Sequence, residues 1–107
     1  MTSKTDFPRL ILREDFSERD AFEITQKGWF SASIELEDGN RYIVNFYDPV
    51  RLKQELEDYV KDGQPCFAEP NLIVVPEVTI DAIQEAVRFL WKTGFLENIK
   101  PEGNSLS

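Results

Sequence analysis

The 107-residue chain contains no histidine, one cysteine and one methionine. Without histidine, the usual proton shuttle near neutral pH is missing, as is the commonest nitrogen ligand for zinc. The lone Cys66 excludes an internal disulfide framework, fits a reducing compartment and has no imidazole to activate it, so it reads as a semi-buried loop thiol. Long apolar runs are also scarce. The longest, Leu72 to Val75, is far too short to span a bilayer, and the opening MTSKTDFPRL lacks a signal peptide's apolar stretch. A cytoplasmic protein is the resulting expectation. The five glycines stand apart and form no phosphate-cradling pattern.

Positive charge is the other shortage. Twelve basic side chains face twenty acidic ones, for a formal net charge of −8. Residues 1–28 hold six acids and five bases, residues 29–78 ten and four, and residues 79–107 four and three. Six of the eight excess negative charges therefore fall in the middle of the chain. Such a balance opposes binding to nucleic acid phosphates and to anionic membranes, and suits either plain solubility or a basic protein partner. Glu14, Asp15, Glu18 and Asp20 form the densest acidic group, but Arg13 and Arg19 flank it and no calcium-loop spacing is present, so it reads as a solvated turn. No metal, cofactor or catalytic constellation is expected.

What the chain does have is a clear hairpin. From Trp29 to Glu37 the apolar residues Phe30, Ala32, Ile34 and Leu36 alternate with polar ones, and from Arg41 to Tyr47 the inward set is Tyr42, Val44 and Phe46. Keeping all even positions on one face requires a loop with an odd number of residues. The Asp38-Gly39-Asn40 fold is therefore read as a three-residue turn with Gly39 left-handed, not the two-residue turn that Asp-Gly alone suggests.

Two helices follow from their caps. The first spans 49–62, with Asp48 as N-cap, Pro49 in the first turn and Gly63 as the stop; the second spans 80–93, between Thr79 and Gly94. The second carries a wide apolar arc that includes Phe89, Leu90 and Trp91, which predicts deep burial ahead of a subunit interface. Leu72 to Val75, unbroken by polar residues, predicts an interior strand over 71–75, covered on both faces and parallel to a hairpin strand. Phe7 to Arg13 suggests an N-terminal edge strand. Residues 17–27 leave two readings open. Ser17 and Asp20 resemble a helix cap, while Phe22, Ile24 and Gln26 alternate like a strand; the preferred expectation is a helical turn near 17–20 and then a strand into Trp29.

The expected fold is a single α+β domain over 1–107, with residues 1–6 and 97–107 as mobile ends. A small antiparallel or mixed sheet (hairpin 29–47, strand 71–75 and an N-terminal strand) packs against the two helices. If both helices cover the even-numbered hairpin face, the odd face presents Trp29, Glu35, Ile43 and Tyr47. Phe7, Leu10, Leu12 or Phe16 then folds over it, or a partner does. The functional expectation is a non-catalytic interaction or regulatory module, such as an inhibitor or immunity-like protein facing a basic partner. The alternatives are an accessory or self-associating domain, joined as a homodimer, and a small-molecule-binding domain.

Overall fold

A computed structural model describes residues 8–37 and 39–98. The elements in chain order are β1 (Arg9–Ile11), α1 (Glu18–Lys27), β2 (Trp29–Glu35), β3 (Arg41–Tyr47), α2 (Pro49–Lys61), β4 (Leu72–Val74) and α3 (Ile80–Lys92), followed by a 3-10 turn at Phe95–Asn98. The strands form one mixed sheet in the order β1-β2-β3-β4, antiparallel except for the parallel β3–β4 pair. This is the α+β architecture that the sequence predicts.

The hairpin keeps the facing that its alternation requires, in the register that pairs Glu35 with Arg41. Ile34 lies opposite Tyr42, Ala32 opposite Val44 and Phe30 opposite Phe46. At the turn, the Leu36 N–H donates to the Asn40 carbonyl and the Gly39 N–H to the Leu36 carbonyl, both at 2.9 Å. Gly39 takes φ +88°, in the left-handed region that a glycine enters without penalty. The connection is thus the odd-numbered one. The even side chains Ala32, Ile34, Leu36, Tyr42, Val44 and Phe46 are all buried in one cluster with Ile24 of α1, Val75, Val78, Ile83 and Val87 of α3, and Leu96.

Residues 18–27 differ from the preferred expectation: they are one helix and not a turn followed by a strand. The Asp20 N–H donates to Ser17 Oγ at 3.3 Å and the Ser17 N–H to Asp20 Oδ2 at 3.0 Å. This reciprocal cap, together with a left-handed Gly28 (φ +73°) whose N–H reaches the Ile24 carbonyl at 2.9 Å, brackets ten residues of helix. The alternation of Phe22 with Ile24 misleads because only Ile24 is buried; Phe22 is 63% exposed.

Strand β4 also departs from expectation. It runs parallel to β3, as predicted, but lies at the sheet edge and not in the interior, and Val74 is 46% exposed. Ile73 and Val75 still turn into the core, so the continuous apolar run divides between two faces of unequal cover.

The helices occupy opposite sides of the sheet. α1 and α3 cover the even face, whereas α2 contributes nothing to that core. Within α3, Ile83 and Val87 are buried and Ile80, Ala86 and Leu90 pack against the core, but Phe89 and Trp91 are 64% and 40% exposed. The apolar arc is wider than the surface available to cover it, so its burial is partial. Of the two ends expected to be mobile, Glu97 and Asn98 belong to the 3-10 turn, and residues 1–6 and 99–107 lie outside the described residues.

Candidate functional site

The odd face of the hairpin carries the four residues nominated from sequence, and the structure treats them differently. Trp29 and Tyr47 are opposite one another in register, with ring centroids 6.4 Å apart. The Tyr47 ring meets Phe67 edge-on at 5.5 Å, and Phe67 meets Tyr59 of α2 edge-on at 5.0 Å. The cover over this end is therefore α2 and the loop after it. Leu10 and Phe16, two of the expected covers, pack with the even-face core, and Phe7 lies outside the described residues. Tyr47 is only 3% exposed, and its hydroxyl donates to Glu69 Oε1 at 2.9 Å. Burial, with the Glu69 carboxylate beside it, pushes the phenol well above its ordinary pKa and keeps it a donor.

Three residues of the four remain partly accessible. Glu35, half-buried, accepts a hydrogen bond from Arg9 of β1 and lies 3.8 Å from Arg41 of β3. The Arg9 bond, helped by the charges of Arg9 and Arg41 and opposed by desolvation, holds the Glu35 carboxyl below its ordinary 4.5. Because the folded-state pKa is the lower one, the stabilisation is complete above the unfolded value and disappears as pH falls through the folded one. Acid titration followed by amide NMR is expected to loosen β1 selectively below about pH 4.5, and Glu35→Gln to abolish that pH step. An unchanged step in the variant would mean that another group holds β1.

Trp29 and Ile43 are half-buried and lie on the walls of a cleft of about 480 Å³ beside β2. Its remaining apolar lining comes from Ile11, Leu12, Phe16, Ile24 and Phe30, and Arg13, Asp20, Glu23 and Lys27 form its charged side. The Trp29 indole N–H is buried and finds no partner among the described residues, a cost of about 1–3 kcal/mol for a desolvated donor. Ser31, exposed on the same strand, donates through its hydroxyl to Asn45 Oδ1 at 2.6 Å, and Asn45 Nδ2 donates to the Pro70 carbonyl at 3.0 Å. These bonds tie the strand to the loop that leads into β4.

Sequence reasoning reached Trp29 and Ile43 through the hairpin's parity. Leu12 and Phe16, two of the covers expected over that face, do line the same cleft, but the contribution of Ile24 was missed, because its placement depends on α1 being a helix. The acidic group near residue 15 is engaged in local pairing: Arg13 lies 3.2 Å from Asp15 and 3.4 Å from Asp20. The Asp20 carboxyl is lowered first by the Ser17 backbone N–H. Among the described residues no group of three or more His, Cys, Asp or Glu side chains is placed to hold a metal ion. None of the described helices is long and apolar enough to cross a membrane. Cys66 is exposed in the loop and not semi-buried. Comparison of the chain with protein-family models, with curated proteins and with solved structures finds no match.

Proposed function

We propose that this protein is a non-catalytic interaction module that receives a basic protein partner on the side of the sheet where β2 borders the cleft. The observation that supports this reading is the cleft itself: an apolar hollow of about 480 Å³ flanked by charges, reached by Trp29 and Ile43. The net charge of −8, with most of its excess in residues 29–78, favours a cationic partner by steering its approach.

The test is affinity capture from extracts of the source organism with the wild-type chain and an Ile43→Glu variant as baits. A specific partner is expected with the wild type and at least about tenfold less with the variant, equivalent to about 1.4 kcal/mol. Recovery should also fall between about 0.1 and 1 M salt, as the Debye length shortens from about 10 to 3 Å. Equal recovery by both baits would remove the cleft from the reading.

A second reading has its own support. Phe89 and Trp91 face outward from α3, as Phe22 does from α1, and exposed aromatic rings suit self-association. Light scattering of the wild type and of Phe89→Glu decides between them. A dimer that the substitution splits would favour the homodimer, and a monomer at every concentration favours the interaction module.

A further inference from the structure

We infer that the outer edge of β2 is a strand-addition site, which takes an extended segment of another protein into the place that β1 leaves empty. The inference rests on the interaction-module reading and specifies how the partner is held. β2 pairs with β3 over seven residues, Trp29–Glu35, but with β1 only over Ser33–Glu35. Among the described residues no strand pairs with the outer side of Trp29–Ala32.

The ladder's parity shows which backbone groups point outward. The Asp48 N–H donates to the Gly28 carbonyl, and the Leu36 N–H to the Asn40 carbonyl, each at 2.9 Å. Even-numbered residues of β2 therefore spend their backbone bonds on β3, and odd-numbered ones turn theirs away. Ser33 and Glu35 meet Ile11 and Arg9 on that outer side. Ser31 is the next in the series. An unbroken β1 would bring Arg13 opposite it, but the Arg13 carbonyl accepts from the Phe16 N–H at 3.0 Å as the chain turns into α1. The cleft occupies the resulting gap, and Ser31 and Ser33 lie on its wall.

An exposed strand edge binds extended peptide through its main chain, and neighbouring pockets select alternate side chains. Side chains of the incoming strand that point toward α1 would meet Phe16, Ile24 and Phe30; those that point the other way would meet Ile43. Its central residues should therefore carry a large apolar group on the α1 side. A second copy of this chain is the poorer occupant, because each copy brings a formal charge of −8 to the contact.

The probe is a phage-displayed random peptide library selected on the immobilised full chain, with the best peptide synthesised and titrated against isotope-labelled protein. Ser31→Pro removes the outward N–H without touching the bonds to β3, and Ser31→Val keeps that N–H while exchanging the hydroxyl for methyl groups of a good strand former. Strand addition predicts about tenfold or greater loss of affinity for Ser31→Pro and near wild-type affinity for Ser31→Val. It also predicts a comparable loss when alternate residues of the peptide are N-methylated, an arm that holds even if the proline variant fails to fold. The Ser31 amide should exchange with solvent markedly more slowly in the complex.

Binding that ignores both the proline and the N-methyl groups would overturn the inference in favour of a side-chain pocket. Failure of the library to yield a binding family would overturn it too, and a wild-type dimer lost in Ser31→Pro would make the occupant a second copy. If the captured natural partner stays with Ser31→Pro but is lost from Ile43→Glu, the interaction module stands and strand addition falls. If neither variant affects capture, strand addition falls and the cleft is removed from the interaction-module reading.

Discussion

Tyr47→Ala is expected to lower the stability of the protein by about 3–5 kcal/mol, the range for emptying a buried aromatic site. The ring is the middle member of a chain of aromatic contacts that runs from Trp29 through Tyr47 and Phe67 to Tyr59. α2 has no buried residue of its own and adds none to the even-face core, so this chain is its main apolar attachment to the sheet. The loss should therefore be uneven. Amide exchange in α2 should accelerate well before that in β2 or α3, because a helix of this length is marginal once its packing is removed. Tyr47→Phe keeps the ring and removes only the 2.9 Å bond to Glu69, for a cost of about 1.5 kcal/mol. Urea denaturation of both variants checks the pair. A Tyr47→Ala cost under about 1 kcal/mol would show that α2 is held by something other than this aromatic stack.

Gly28→Ala is the second large effect. Gly28 ends α1 at φ +73°, and the nearest atom to an added Cβ would be Asp48 Oδ2 at 2.7 Å. Asp48 is not free to withdraw: its Oδ1 accepts from the Arg51 N–H at 2.7 Å as the cap of α2, and its own N–H donates to the Gly28 carbonyl at 2.9 Å. One methyl group therefore strikes the end of one helix and the start of another. The left-handed backbone costs about 1–2 kcal/mol for a residue with a Cβ, and a displaced cap about 1 kcal/mol more. The expected total is about 2–3 kcal/mol by thermal or chemical denaturation. Combining the change with Asp48→Ala separates the two contributions: in that background the methyl group meets no carboxylate and only the backbone cost should remain. Strict additivity of the two substitutions would mean that the contact is relieved by a small shift.

Much of the architecture was legible in the sequence, and the features that were share a physical origin. Asp48 with Pro49, Thr79, and Gly39 act within a few residues of themselves, through caps and turns whose geometry is set locally. The even–odd division between Phe30 and Phe46 was legible because one buried face imposes a strict period of two. Residues 17–27 were misread because two local signals compete there. The Ser17–Asp20 cap prevails since it satisfies backbone donors at once, whereas the alternation of Phe22 and Ile24 promised a strand face that α1 never needed.

The candidate site was legible only in part. Trp29 and Ile43 follow from parity, and Leu12 and Phe16 were among the covers expected over them, but the wall they share with Ile24 requires α1 to lie across the open side of β2. Tyr47 shared the face that parity assigned to it, yet its burial comes from Phe67, twenty residues further along the chain. Nothing near Tyr47 in sequence announces that cover.

By itself the sequence determined the hairpin and which of its side chains share a face, the limits of α2 and α3, and the acidic character of the middle of the chain. Hydrogen bonds and steric limits between near neighbours are sufficient for these. Only the tertiary structure decided that α2 lies on the face opposite α1 and α3, that β4 takes an edge, and that β1 stops short of Ser31. Those outcomes arise from competition among distant apolar surfaces for the two faces of one sheet, and such competition is resolved by shape and area once the whole chain has closed around its core.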